Sequence, residues 1–393
     1  MSTHYNPSDD IDHAILVGVN VTESDLDELA ALCLTCNIKP VGRIVQNRKD
    51  VDVTYYIGKG KVDEIKQLIA ETNATVVVFD VELSGSKVRN LEEALEVPVL
   101  DRSKVILDIF AQRAQSMEGK MQVELAQLKY NLPRLAGTSG ISAGLIKRDG
   151  GVYTEDIMAK MRSSVGMRGP GEKKLELDKR TIRDQITALE EKLRKVAANR
   201  DLTRRGAAKS GKTRVCIVGY TNSGKSTLLN TIAKSGVVAE DKLFATLDPK
   251  TANVYIAPSH CEEHGDEAIG EAQAPLIQQT HGTQILLTDT VGFINKLPHE
   301  FIRAFESTLD EARLADLLLH VVDISNPDYK KQIEVVNEVL AKIGAAHVPV
   351  IMVYNKSDLC KFETKDPNAV LISAKTNTGI ETLKRKILEH AKN

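Results

Sequence analysis

The clearest chemistry in the chain lies in Gly219-Tyr220-Thr221-Asn222-Ser223-Gly224-Lys225-Ser226-Thr227. The spacing G-x-x-x-x-G-K-[ST] makes a phosphate-cradling loop when a strand precedes it and a helix follows. Gly219 and Gly224 let the backbone take turns that a Cβ would obstruct, so successive N–H groups converge on anionic oxygens. Lys225 would reach the β- and γ-phosphates, and the Ser226 hydroxyl would ligate Mg²⁺. The required context is present. Val215-Cys216-Ile217-Val218 reads as a buried strand before the loop, and Leu228, Leu229 and Ile232 recur at helical spacing after it.

Three further stretches turn "nucleotide" into "guanine nucleotide". Ile285 to Thr288 reads as a strand ending in Asp289-Thr290-Val291-Gly292, a D-x-x-G arrangement. Asp289 would hold Mg²⁺ through its shell, and the Gly292 N–H would meet the γ-phosphate. Val348 to Tyr354 reads as a strand ending in Asn355-Lys356-Ser357-Asp358. The Asp358 carboxylate can accept both N1–H and N2–H₂ of guanine, a donor pair that adenine lacks. Val370 to Ile372 leads to Ser373-Ala374-Lys375, whose backbone N–H groups would meet guanine O6. All four motifs stand in order, each at the carboxyl end of an apolar strand. Between the first two lies Phe244-Ala245-Thr246-Leu247-Asp248-Pro249. Thr246 is the candidate switch threonine on Mg²⁺ when a γ-phosphate is present, with Thr251 as a rival. Many small GTPases place a water-positioning Gln after D-x-x-G. Here Phe293 stands there, so a low intrinsic rate of hydrolysis is expected.

Placing these residues requires a three-part α/β chain. Residues 1–110 alternate strand and helix: strands over 14–19, 39–45, 75–80 and 97–100, helices over 22–34, 60–70 and 83–95. This predicts a small α/β domain with a mostly parallel sheet. Gly58-Lys59-Gly60-Lys61 opens one of its helices, either as an anion site or as an ordinary strand-to-helix turn. Over 111–205 the period changes. Phe110, Ala114, Met117, Met121, Leu125, Leu128 and Leu132 form one narrow apolar seam; Leu175, Ile182, Ile186, Leu189, Leu193 and Val196 form another. Two such seams predict an antiparallel helical hairpin, with Pro133 ending its first helix and a second helix of roughly 25 residues and about 40 Å. Arg204 to Lys212 reads as a flexible linker, and 213–393 as a P-loop GTPase domain closed by a helix over 380–391.

The connection 133–171 is glycine-rich and carries Lys147, Arg148, Lys160, Arg162 and Arg168. From Lys147 to Arg214 there are 19 Lys/Arg against 10 Asp/Glu, while the whole chain has a net charge of −2, leaving about −11 elsewhere. Such asymmetry suits a polyanion such as RNA, although a solvated charged coiled coil has the same composition. His260 to Thr283 reads as an acidic loop between strands, and its histidines and Cys261 fit no common metal spacing. Cys33 and Cys36 form a C-x-x-C with no second pair, better read as a small apolar helix end than as a zinc or redox site. Five scattered cysteines suit a reducing compartment. Met1 to Asp12 reads as neither a signal nor a transit peptide, and no apolar run approaches membrane-span length. A cytoplasmic monomer is expected.

Most of the chain resembles the HflX family of ribosome-associated GTPases, in the Obg–HflX branch. The resemblance is carried by Gly58-Lys59-Gly60-Lys61, Phe79-Asp80-Val81-Glu82-Leu83-Ser84 with Arg89-Asn90-Leu91-Glu92, Asp101-Arg102-Ser103, Ile106 to Phe110, Gln122 to Leu128, Arg168 to Glu172, Phe244 to Pro249 and Asp289 to Ile294. It implies GTP hydrolysis to GDP and phosphate, binding to the large ribosomal subunit and its rRNA, and dissociation or rescue of ribosomes under stress. It also implies ATP binding at the N-terminal domain, as in some members. Similarity to potassium-dependent relatives implies that Asn222 holds K⁺ beside the phosphates, though it reads equally as a loop-shaping residue. The chain departs from the family over 137–168 and in the insertion 260–283. It stops one helix after Lys375, where many members continue into a further domain.

Two functional classes follow. One is a ribosome-dependent GTPase, with Lys225, Thr246, Gly292 and Asn222 as the residues acting on the reacting phosphate. The other is a nucleotide-gated RNA- or protein-binding module in which hydrolysis is only a timer.

Overall fold

A computed structural model of the chain describes residues 11–137, 171–208, 212–233, 243–244, 248–256, 283–296, 306–364 and 366–391. Two compact units partition it: unit 1 takes Met1–Ala198, Lys242–Leu247 and Lys296–Phe305, and unit 2 takes Asn199–Asp241, Asp248–Asn295 and Glu306–Asn393.

Unit 1 begins with β1 (Asp12–Val19), α1 (Glu23–Thr35), β2 (Ile38–Gln46), α2 (Lys59–Thr72), β3 (Val76–Phe79), α3 (Gly85–Leu95) and β4 (Val99–Asp101). The sheet order is β2-β1-β3-β4, and every pairing is parallel. The two-sided apolar run of β1 suits a strand covered on both faces, and Ala14 to Val17 are at most 1% exposed. Thr22 starts α1 with a capping box: its hydroxyl accepts from Asp25 N, and the Asp25 carboxylate accepts from Thr22 N. This satisfies two of the donors that a helix start leaves free.

The first hairpin seam divides between two helices, α4 (Arg102–Arg113) and α5 (Met117–Asn131). The single helix expected from Phe110 to Leu132 breaks because Ala114 turns extended (φ −65°, ψ 111°) and the Ser116 hydroxyl caps a new start on Gly119 N. Apolar steps of three and four run on through the break, and Met117, a member of that seam, is consequently exposed. Helix α5 ends at Asn131, two residues before Pro133 as expected, and the chain continues in a 3-10 segment, Leu132–Gly137. The second hairpin helix, α6, runs Gly171–Ala208, 38 residues, about 57 Å. It is longer than its apolar seam because Arg204 to Ala208, expected as linker, continue the helix. Leu125 and Leu128 of α5 pack with Ile182 and Leu189 of α6. Lys129 pairs with Glu190 at 2.7 Å.

Buried charges tie this hairpin to the sheet of unit 1. Asp101, fully buried, accepts from Leu83 N, Lys104 N, Tyr130 Oη and Arg134. Burial raises its carboxyl above the ordinary value, and Arg134 and the hydrogen bonds oppose that. Arg102 bridges Asp80 and Glu28. Lys296 also pairs with Asp80, and the Phe244 ring meets Phe110 edge-on at 4.7 Å.

Unit 2 contains β5 (Thr213–Gly219), α7 (Lys225–Ala233), β6 (Lys250–Ile256), β7 (Thr283–Asp289), α8 (Glu306–Arg313), β8 (Leu317–Asp323), α9 (Tyr329–Lys342), β9 (Val350–Asn355), β10 (Val370–Leu371) and α10 (Ile380–Ala391). Its sheet order is β10-β9-β8-β5-β7-β6, parallel except that β6 runs antiparallel to β7. Leu228 and Leu229 of α7, Leu317, Leu319 and Val321 of β8 and Leu383 and Ile387 of α10 lie in one core with β5 and β7. The strands therefore end together, and the loops after β5, β7, β9 and β10 meet at one edge. Ligands of open α/β sheets bind at that edge. Among the described residues no helix is long and apolar enough to cross a membrane.

Candidate nucleotide site

The loop after β5 is shaped by what two side chains would strike. A Cβ at Gly219 would meet Val321 O at 2.3 Å, and one at Gly224, where φ is +92°, would meet Asn355 Nδ2 at 2.2 Å. Only glycine fits at either position. Asn222 takes φ +59° and faces solvent. Thr221 Oγ1 and Ser223 Oγ, both buried, find no partner among the described residues. Buried polar atoms without partners cost free energy unless a ligand or water completes them. Thr227 and Ser226 follow Lys225 in the first turn of α7.

Lys225 is 7% exposed and donates to Tyr220 O at 2.7 Å. Burial pushes its ammonium down to about 8, against the pull of Asp289. A polyanion beside it would restore the charged form. Ser226 Oγ donates to Asp289 Oδ2 at 2.6 Å, and Asp289 is fully buried. A hydroxyl and a carboxylate this close are the oxygen donors a hard divalent cation takes, so the pair fits Mg²⁺. Among the described residues no group of three or more His, Cys, Asp or Glu gathers as a metal site. Gly292 lies against Lys225 and Thr221.

Asn355 braces the base end. Its side chain is buried, donates from Nδ2 to Ser223 O at 2.8 Å and accepts at Oδ1 from Ala374 N at 3.0 Å. One amide thus joins the phosphate loop, the N-K-x-D turn and the S-A-K turn. Ser373 and Ala374 are buried while Lys375 is exposed. Lys356 takes φ +65° and pairs with Asp323 at 2.6 Å. Asp358 is solvent-exposed, and a hydrogen bond from Ser373 holds its carboxyl below the usual range.

The structure therefore brings Gly219 to Thr227, Asp289, Gly292, Asn355, Lys356, Asp358 and Ser373 to Lys375 to one edge of unit 2. Phe244 is not among them; it is 3% exposed and packs in unit 1. Thr246, the acidic insertion 260–283 except Thr283, and residues 138–170 of the connection 133–171, with its basic side chains, lie outside the described residues. Thr251 lies in β6, its hydroxyl 3.0 Å from that of Thr288. Phe293 is 2% exposed. The Gly58–Lys61 turn is already bonded: Gly58 N donates to Gln46 Oε1 and Lys61 pairs with Glu64.

His320 escaped the sequence reading. It lies on β8, 1% exposed, opposite Val218, and its Nδ1 finds no partner among the described residues. Burial pushes its imidazole down to about 4, and the Lys225 charge adds to that. A lone polar letter inside Leu317–Asp323 was the available signal.

Residues 23–111 match a family described as GTP-binding GTPase N-terminal, 113–206 one described as GTP-binding GTPase Middle Region, and 214–356 one described as 50S ribosome-binding GTPase. The chain is similar to a GTPase HflX of Caldanaerobacter subterraneus, 44% identical over 95% of this chain and 79% of that one. It is also similar to the GTPase HflX of Escherichia coli, 37% identical over 96% of this chain and 82% of that one. Among solved structures, a GTP-binding protein of Sulfolobus solfataricus in complex with GDP is 23% identical over 97% of this chain and 99% of that one, at a TM-score of 0.47. At these identities and coverages, the chain belongs to the GTPase HflX family.

Proposed function

We propose that the chain binds GTP and GDP at the edge of unit 2, hydrolyses GTP, and associates with the large ribosomal subunit to dissociate or rescue ribosomes. The observation that carries the nucleotide part is the Asn355 amide, which joins the phosphate loop to both base-recognition turns. In this reading Asp358 accepts the guanine donor pair. The backbone of Ser373 to Lys375 meets O6, Gly219 to Thr227 cradle the phosphates, and Lys225 and the Gly292 N–H face the γ-phosphate.

Ser226, Asp289 and Thr246 would hold Mg²⁺, which when bound neutralises charge on the β- and γ-oxygens. Attack of water on the γ-phosphorus breaks its bond to the β–γ bridging oxygen, releasing phosphate and GDP. Phe293 is buried and offers that water no hydrogen bond. The isolated chain should therefore turn over slowly until a partner supplies the missing preorganisation. Asn222 faces solvent beside the loop, where K⁺ held by its amide oxygen would add positive charge near the phosphates.

The ribosome reading is supported by the matching family description and by the basic surplus of the hairpin. Arg180, Lys192 and Arg194 are exposed on α6, as are Arg183 and Lys195, which pair with Glu176 and Glu191. ATP binding at Gly58–Lys61 would require the Gln46 and Glu64 bonds to be exchanged for phosphate contacts. Sedimentation with purified large subunits tests the proposal. Binding is expected with a non-hydrolysable GTP analogue, weaker with GDP, and falling steeply with salt. Absence of binding in every nucleotide state would leave the nucleotide-gated module acting on another client.

A further inference from the structure

Gly292 to Asn295, the segment after β7 that would form switch II of the proposed GTPase site, lie stitched along the phosphate loop. Thr221 N donates to Phe293 O at 2.8 Å, and Phe293 N donates to Gly219 O at 3.0 Å. Tyr220 and Phe293 thereby form a parallel bridge beyond the ends of β5 and β7. A third bond comes from a side chain: Asn295 N donates to Tyr220 Oη at 2.8 Å. Phe293 and Ile294 are 2% and 1% exposed, so the strap is also seated on apolar contacts.

This arrangement holds Gly292 tightly against the phosphate loop and Lys225. A single carbon added at Gly292 would stand 2.8 Å from Lys225 Nζ, 2.9 Å from Thr221 Cα and 3.0 Å from Thr221 Cγ2. A phosphorus with three oxygens is far larger than one carbon. A γ-phosphoryl group held by both Lys225 and the Gly292 N–H would have to enter this contact, which calls for Gly292 to Asn295 to lift from the loop. Gly224 to Thr227, the part of the phosphate loop that runs into α7, take no part in the three bonds.

We propose that Tyr220 is a specificity-determining residue: its hydroxyl latches switch II in a closed state that admits a nucleoside diphosphate and excludes the triphosphate. The latch rests on the guanine-nucleotide reading above. GTP must spend part of its γ-phosphate contacts on lifting the strap, whereas GDP binds either state alike. A ligand shifts such an equilibrium only by its differential affinity for the two states. The other two bonds are backbone to backbone, so Tyr220 Oη is the one member of the stitch that a substitution removes cleanly.

The test uses the full chain and Tyr220→Phe, which keeps the ring and deletes the hydroxyl. Fluorescent GDP and a non-hydrolysable GTP analogue are titrated into each. The ratio of the analogue's Kd to that of GDP should fall about fivefold in the variant, the equivalent of one hydrogen bond of about 1 kcal/mol. An unchanged or increased ratio overturns the latch, including the case in which both affinities fall together. Independently of the variant, exchange of the Asn295 amide in the wild type should be faster with the analogue than with GDP. Equal exchange also overturns it. A wild type that binds neither nucleotide is a separate result, which overturns the nucleotide reading and the latch with it.

Discussion

Replacing Asn355 with alanine should damage two distant turns at once. The amide donates to Ser223 O at 2.8 Å and accepts from Ala374 N at 3.0 Å, and the residue is 3% exposed. Truncation leaves a buried carbonyl and a buried N–H without partners. Two lost hydrogen bonds, with the desolvated groups left behind, put the loss at about 2–3 kcal/mol. Local opening at Ala374 should then become about 30- to 150-fold more frequent. Amide exchange by mass spectrometry or NMR reads this directly, and a GDP titration reads the site. GDP affinity should fall at least tenfold, about 1.4 kcal/mol, because the phosphate loop and base loops lose their shared brace. Asn355→Asp separates the two arms. It keeps an acceptor for Ala374 N but sets an anion against Ser223 O, so protection at Ala374 should persist while GDP binding fails. If Asn355→Ala leaves Ala374 protection and GDP affinity unchanged, the amide is not the brace described.

Two further outcomes follow from the same site. Asp358→Asn removes the paired acceptor, so GTP affinity should fall by about 2 kcal/mol while xanthosine triphosphate gains relative to GTP; unchanged GTP affinity in a titration would remove residues 355–358 from base recognition. His320, whose imidazole is held down at about 4 against an ordinary 6.5, gives unit 2 an acid sensitivity. The unfolded chain binds the proton first, so the stability contributed by the neutral buried ring is complete above pH 6.5 and is lost as pH falls from there toward 4. The slope should approach ~1.4 kcal/mol per pH unit, and the pH dependence of thermal unfolding should flatten in that window in His320→Leu.

The sequence reading was sharpest where a motif is bound to a strand end. The phosphate loop, D-x-x-G, N-K-x-D and S-A-K all sit at the carboxyl ends of apolar strands, and the parallel sheet of unit 2 brings those ends together. The α10 bounds, Ile380–Ala391, were likewise legible from spacing alone. Periodicity failed at Ser116, since a capping hydroxyl breaks a helix without interrupting steps of three and four. It failed again at Arg204 to Ala208, where the apolar seam has ended but the residues still favour a helix. The switch II stitch was invisible for a different reason. Two of its three bonds are main chain to main chain and leave no mark in residue type. The Asp101–Tyr130–Arg134 cluster needed the fold, because residues 29 and 33 positions from Asp101 meet only once the hairpin returns to the sheet.

The proposed function makes unit 2 a guanine-nucleotide switch that the large ribosomal subunit sets in motion. GTP turnover measured against the concentration of purified large subunits tests it most directly. The buried Phe293 and the latched switch predict a slow basal rate that rises at least tenfold, about 1.4 kcal/mol off the barrier, and that falls back as salt screens the phosphate contacts. A rate indifferent to subunits at low salt would contradict it.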